Sequence, residues 1–513
     1  MSEALSPGQK SRGIIAFIER AGQKIPDPVV IFMFLFAVVL VLTSLIGGMQ
    51  FDGGAVTHSI KNMLDTEHVR WLFDNALLQN WLAFGRGVLG VILIVMLAVG
   101  IAEHSGLLAA LIKKVGLHIS DRWLPYMVVF LGIMSSVASD AGYLVLIPLA
   151  GLLYAGLGKN PLIGMAAAFA GVSAGFSANL IPATPSDVIL GVNARIFAES
   201  QGVPFTTASG EPLNPATMHY YFIVVSTIML TLVGAWVTKR FVAPRLSAMS
   251  YELPDDLKLD DFKLTTQEQK GLRMAGLGLL AALLGIYLLA TGPLAPYTNA
   301  AGQQVTPYLD NVILLISFVF VVVGLCYGVT TRKFTSLQDV VKAMVKQMNT
   351  MGYILVLTFF CYNFLAMLSY SGLGTYVTYL GATFLGSLGL QSFPVALIIG
   401  FILTTAFINL FVGGMTSKWM LLGPIFVPML YQVNPNMTPD LVTAAYRVAD
   451  SSTNIITPMM TYAGVVLAFM RKYKPELKFG DVISMMVPYS AAFLLMWTVV
   501  LVIFFAFGLP LGF

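Results

Sequence analysis

The sequence predicts an all-α polytopic membrane protein with nine transmembrane helices plus two re-entrant hairpins, arranged as two inverted-topology repeats. Three observations carry this reading: long apolar runs, loop charges that only an unusual threading satisfies, and a proline-bearing motif that occurs twice. Of the 513 residues, 57% are hydrophobic and only 11% charged, where a soluble chain carries about a quarter. The net charge of +4 is spread over several loops, which argues against a nucleic-acid partner. Cys326 and Cys361 lie inside apolar segments, so neither a disulfide framework nor a thiolate metal site is expected. The histidines (His58, His68, His104, His118 and His219) sit in polar stretches without ligand spacing.

The elements follow in order. Lys10, Arg12, Arg20 and Lys24 precede the first apolar run, Val29 to Ile46. That run is too long for a signal-peptide core and no small-residue cleavage site follows, so it reads as an uncleaved span with a cytoplasmic N-terminus. Full spans are read at roughly 28–48, 83–101, 161–192, 220–241, 271–291, 311–329, 347–369, 440–470 and 483–511. Two further apolar stretches, 123–157 and 393–432, are too long for one crossing and carry small polar residues.

Loop charge sets the threading, because Lys and Arg collect on the cytoplasmic side. Loop 49–80 sets Lys61 and Arg70 against Asp52, Asp65, Glu67 and Asp74 and reads as periplasmic. Lys113, Lys114 and Arg122 place 102–122 inside, and Arg195 against Glu199 and Glu211 places 193–219 outside. An odd number of crossings must separate those two loops. Span 161–192 supplies it only if 123–157 enters and leaves on the cytoplasmic side. The same counting, with Arg332, Lys333, Lys342, Lys346, Arg471, Lys472, Lys474 and Lys478 inside, makes 393–432 a hairpin entering from the periplasm.

The domain reading is 1–241 for the first repeat, with hairpin 123–157 and interrupted span 161–192. Residues 242–310 form a cytoplasmic loop and linker helix, whose start is marked by the capping-box pattern Thr265-Thr266-Gln267-Glu268. Residues 311–513 form the second repeat, with hairpin 393–432 and interrupted span 440–470. Each repeat has a surface amphipathic segment ahead of its hairpin. The repeat shows locally as Ser177-Ala178-Asn179-Leu180-Ile181-Pro182 and Ser452-Thr453-Asn454-Ile455-Ile456-Thr457-Pro458, about 275 residues apart. Proline removes a backbone donor inside the bilayer, and hydroxyl and amide groups can satisfy what it frees. Discontinuous helices of this kind form the substrate and ion sites of secondary transporters.

Chemistry is expected at the hairpin tips and the breaks. The tips, Ser135-Ser136-Val137-Ala138-Ser139-Asp140-Ala141-Gly142 and Gly413-Gly414-Met415-Thr416-Ser417-Lys418-Trp419, supply hydroxyls and free carbonyls that suit a hard cation. Asn179 and Asn454 face them as candidate sodium ligands, with Ser139 and Asp140 in the first cation-coupling set. Asp140, Asp187, Lys418, Arg447 and Asp450 are ionisable residues at depth, which default to function. Arg447 and Asp450, three apart on one helical face, are placed so that they can pair. Asp450 lies one turn before Asn454 and could complete a cation site or carry a proton. Lys418, Arg447 and Ser417 are candidates for an anionic substrate group, and Trp419 for an aromatic ring. Asp187 could sit in the pocket or at the periplasmic rim.

The stretches Ser135 to Gly151, Gly171 to Gly191, Gly413 to Tyr431 and Tyr446 to Pro458 resemble the aminobenzoyl-glutamate transporter (AbgT) family. So do the Pro435–Pro439 loop and Tyr473-Lys474-Pro475-Glu476, and the resemblance covers essentially the whole chain. It implies a homodimer in the bacterial inner membrane and, by more distant likeness to the ion transporter superfamily, an elevator mechanism. It further implies cation-driven transport, by protons or sodium and without another cofactor. The substrate would be p-aminobenzoyl-glutamate, or sulfonamide antimetabolites as exported cargo. The family's functional set matches Asp187, Asn409, Ser417, Trp419, Pro439, Arg447, Asp450 and Pro458, with a sodium ion expected at Asn409 and Asp450. Asn409 enters by this resemblance alone.

Two rivals are weighed. An intramembrane aspartyl protease would use two of Asp140, Asp187 and Asp450, but Asp140 follows Val-Ala-Ser and Asp450 follows Arg-Val-Ala, not Gly-x-Gly. A passive channel would not need two proline-broken helices. No His-Glu-x-x-His and no phosphate-binding loop is present, so the chain is not expected to be an enzyme.

Overall fold

The computed structural model describes residues 26–52, 57–75, 78–84, 88–116, 122–138, 142–253, 264–298, 304–349, 352–457, 460 and 462–513. The described part is mostly helix. Helix α1 (Pro28–Ile46) opens on an Asp27 cap and leads into a small antiparallel ladder of β1 (Gln50–Asp52) and β2 (Thr57–Ser59), with Gln50 opposite Ser59. Then come α2 (Val88–His104), the amphipathic α3 (Leu107–Gly116), and two arms, α4 (Leu124–Met134) and α5 (Ile147–Gly156). Between the arms lie a 3-10 turn at Ser135–Ala138 and a π-helical turn at Gly142–Leu146. Next are α6 (Pro161–Phe169), α7 (Pro185–Glu199) and α8 (Tyr220–Ser247). The linker helix α9 (Thr266–Thr291) starts at the expected capping box, in which Thr265 and Glu268 satisfy each other's backbone N–H.

The later part follows the linker helix. Helices α10 (Val312–Thr330), α11 (Leu337–Asn349), α12 (Gly352–Tyr370) and α13 (Leu373–Ser387) precede two arms, α14 (Pro394–Asn409) and α15 (Met415–Val433). Helix α16 (Pro439–Thr453), α17 (Ala463–Arg471) and α18 (Phe479–Ala506) complete the chain.

Six of these helices are long and apolar enough to cross a membrane: α1, α8, α9, α10, α12 and α18. They match six of the nine expected spans. Of the other three, the two read as interrupted are discontinuous helices, and the third is short. Span 161–192 is broken: α6 ends in a π-helical turn at Ala170–Ala174, and helix resumes only at Pro185. Span 440–470 breaks after Thr453 through a 3-10 turn at Asn454–Ile456. Span 83–101 appears as the 17-residue α2. Helix α7 also continues to Glu199, beyond the expected end at 192.

Helices α1, α9 and α10 bury few of their residues, and leucines such as Leu280 and Leu284 on α9 are exposed. A helix that is apolar all round yet exposed belongs in lipid. Of these, α9 packs on α10, which with α11 packs on α2, whereas α1 packs on α12. The broken helices lie inside. Arms α4 and α5 both pack on α6, and arms α14 and α15 both pack on α16. Close approach at the first pair rests on glycine: a Cβ on Gly132 of α4 would stand 2.8 Å from the Gly171 Cα. The two breaks also meet, since the π-helical turn after α6 contacts both α16 and its 3-10 end.

Candidate functional site

The first break is held open by side chains. Asn179 Oδ1 accepts from the Ile181 N–H at 2.9 Å, closing a local turn, and its Nδ2 donates to Ser136 Oγ at 2.8 Å on the hairpin tip. The chain then passes through the left-handed region at Ala183 (φ +54) and caps α7 with Thr184. Asp187 is the third residue of that helix. Its Oδ2 accepts from the Thr184 N–H at 2.9 Å and the Thr184 hydroxyl at 2.7 Å, leaving Oδ1 free for a partner elsewhere. A carboxylate in the first turn is also favoured by the helix dipole.

The second break is tied to the second hairpin. Asn409, the last residue of α14, shares its Nδ2 between the Asp450 carbonyl at 2.7 Å, Thr453 Oγ1 at 2.7 Å and Asn454 Oδ1 at 3.3 Å. Thr457 Oγ1 donates to the Leu410 carbonyl at 3.1 Å. Gly414, at φ +80, makes the turn into α15, a conformation that L side chains rarely adopt. Ser417, Lys418 and Trp419 therefore fall in the first turn and a half of α15.

The buried charges pair across helices. Arg447 and Asp450 do not pair with each other, although their spacing allows it. Arg447 Nη2 lies 2.5 Å from Asp187 Oδ1 and donates to the Ser177 carbonyl at 2.9 Å. The Lys418 ammonium lies 2.6 Å from Asp450 Oδ1 and also contacts Asn409 Oδ1, with all three residues fully buried. The reason is reach: Arg447 points to the first break and Asp450 to the second hairpin, and each finds an opposite charge there. Burial makes such pairing obligatory, because breaking a buried pair by removing one partner costs about 3–5 kcal/mol.

Asp187 thus sits buried in the site, not at a rim. Trp419 does not offer an open ring face: it is fully buried, donates from Nε1 to the Leu190 carbonyl at 3.1 Å, and packs on Tyr446 at 4.7 Å between ring centroids. Lys418 was read as a substrate anchor, yet its charge is already met by Asp450. Of the residues expected to hold sodium, Asn409 and Asp450, the Oδ1 atoms of both face that ammonium. A sodium ion on the same oxygens would stand against a like charge, so they do not fit one while Lys418 holds them. No group of three or more His, Cys, Asp or Glu among the described residues could hold a metal ion. Ser139, Asp140 and Pro458 lie outside the described residues.

Sequence reading missed His219. It is buried at the start of α8, with Nε2 2.9 Å from the Asp440 carbonyl and Nδ1 3.4 Å from Arg447 Nη1. Its only sequence signal is position, directly before a span. Several buried donors and acceptors at the breaks find no partner among the described residues: Arg447 Nε and the hydroxyls of Ser177, Ser451 and Ser452. Buried polar atoms are nearly always satisfied, so these stand out among the described residues.

A family model described as "AbgT putative transporter family" matches residues 13–513. The chain belongs to the AbgT family. The p-aminobenzoyl-glutamate transport protein of Escherichia coli (strain K12) is 31% identical over 527 residues, covering 100% of this chain and 98% of that relative. The crystal structure of the Alcanivorax borkumensis YdaH transporter superposes with a TM-score of 0.85 at 35% identity, covering 95% of this AbgT chain and 100% of that one. MtrF of Neisseria gonorrhoeae, from a class of antimetabolite efflux pumps, gives 0.84 at 34% identity, covering 96% and 97%. These AbgT relatives are transporters, and the chain is a multi-pass membrane transporter, not an enzyme. An Asp187–Asp450 protease dyad fails on geometry too, since each faces a cation and not the other.

Proposed function

We propose that this chain is a cation-coupled secondary transporter of p-aminobenzoyl-glutamate or related aminobenzoyl compounds across the bacterial inner membrane. Nine crossings and two re-entrant hairpins form two inverted repeats, 1–241 and 311–513, joined by 242–310, and the protomer works as a homodimer by an elevator motion. The observation that carries the reading is Arg447: a buried guanidinium on a broken helix, whose Nε, like the hydroxyls of Ser177, Ser451 and Ser452, has no partner among the described residues. That is the donor set an anionic substrate needs. The matched packing of each pair of arms on its own broken helix supports the repeat. The name of the E. coli relative supports the substrate class.

Protons or sodium supply the driving gradient. The Lys418 ammonium on Asp450 favours protons, because a cation already stands at those oxygens. A second reading, efflux of sulfonamide-type antimetabolites, rests on the likeness to MtrF. Uptake of labelled p-aminobenzoyl-glutamate into proteoliposomes, with proton and sodium gradients imposed separately, tests both. Accumulation above equilibrium under one gradient is the expected result and names the ion. Absence of accumulation under either would overturn the import reading, and gradient-driven movement of a labelled sulfonamide in the same vesicles would replace it.

A further inference from the structure

We propose that His219 is a positioning residue for Arg447, a neutral imidazole that fixes how the guanidinium meets an anionic substrate; this rests on the transport reading above. The protonation state follows from the two neighbours. A backbone carbonyl only accepts, so the nitrogen facing the Asp440 carbonyl, Nε2, carries the hydrogen. Arginine only donates, so the nitrogen facing Arg447 Nη1, Nδ1, presents its lone pair. Both ring nitrogens are used and the ring is uncharged.

Neutrality matters. Asp187 already balances the Arg447 charge through Nη2, and a second carboxylate on Nη1 would give the site net negative charge and repel an incoming anion. An imidazole supplies an acceptor without that cost. It holds Nη1 while Asp187 and the Ser177 carbonyl hold Nη2, so the plane of the guanidinium is set from two sides. Nε, on a residue only 1% exposed, is left without a partner among the described residues. His219 also bridges two parts of the chain: it leads into α8 of the first half, and its carbonyl partner Asp440 lies in the first turn of α16.

The test separates the two contacts. Asn in place of His219 can present its carbonyl oxygen where Nδ1 stood, whereas Gln can present its amide where Nε2–H stood. In proteoliposome uptake of p-aminobenzoyl-glutamate, His219→Ala is expected to raise KM about tenfold with Vmax within about twofold. His219→Asn should restore KM to within about threefold of wild type, and His219→Gln should not. Equal KM in wild type and His219→Ala, or rescue by Gln and not Asn, would overturn the proposal. A second measurement needs no substrate: unfolding midpoints of wild type, His219→Ala, Arg447→Met and the double variant in detergent. Non-additive shifts are expected, and additive ones would overturn the coupling. If wild type moves no p-aminobenzoyl-glutamate, the transport reading fails, while the cycle still decides whether His219 holds Arg447.

Discussion

In the first break, Asn179 holds Ser136 of its hairpin through one amide–hydroxyl contact, and no charged side chain among the described residues joins that pair. In the second the direction is reversed, Asn454 Oδ1 accepting from the Asn409 amide of the second tip, and the Lys418–Asp450 pair sits against the same amide. The two breaks share a backbone plan and differ in electrostatics. The described contact at the first tip joins uncharged groups, whereas the second carries a buried ion pair; the charges at the first break, Arg447 and Asp187, meet across helices instead. Arg447 connects the two, reaching from the second broken helix to Asp187 and the Ser177 carbonyl of the first.

The largest test of that contrast is to remove the charge from the second break. Asp450→Asn strands a buried ammonium and Lys418→Met strands a buried carboxylate, so each should lose about 3–5 kcal/mol of stability and all coupled uptake. The double variant Lys418→Met/Asp450→Asn should regain most of the stability and none of the transport. Thermal unfolding and proteoliposome uptake measured side by side check this. Wild-type uptake by the folded double variant would reduce the pair to a structural element.

Next in size is the link between the breaks. Arg447→Lys keeps the charge but replaces a planar fork with a point donor that cannot meet Asp187, the Ser177 carbonyl and His219 together. Its kcat/KM for uptake should fall about a hundredfold, close to 2.7 kcal/mol. Asp187→Asn keeps an acceptor for the Thr184 cap and loses the ion pair, so a smaller fall is expected. Equal losses for the two variants would mean that charge and not the shape of the guanidinium is what the site uses.

Much of this architecture was legible because it is written in composition and spacing. The long apolar stretch 393–432 holds two helices, Pro394–Asn409 and Met415–Val433, and Thr265 caps α9 as its capping-box pattern requires. Both breaks follow from Ser-x-Asn motifs ending in proline. Pairing was not legible. Residues three apart on a helix share a face, but nothing local says that Arg447 will reach an aspartate 260 positions earlier. Lys418 looked like a free cation because its carboxylate comes from another helix, and Trp419 looked like a ring platform because burial of its face depends on Tyr446 and Phe197. His219 carried no local pattern, since its two partners are a backbone carbonyl and a side chain more than 200 residues away.

The smallest effect sharpens the comparison most, because it removes an asparagine side chain from each break. Asn179→Ala removes the Ser136 contact and the Ile181 turn, a loss of about 1–3 kcal/mol for buried groups left unpaired. Asn454→Ala removes a longer contact, 3.3 Å, to an amide that keeps two better acceptors, so its stability loss should be smaller. The effects on transport should run the other way. Asn454 lies one turn from Asp450 and Asn409 also touches the Lys418 ammonium, so Asn454→Ala should shift the KM for the coupling ion, while Asn179→Ala should leave that KM within about twofold. Unfolding midpoints and ion-titrated uptake on the two variants give the four numbers. A larger ion effect from Asn179→Ala would place the coupling chemistry in the first break and reverse the assignment of charge to the second.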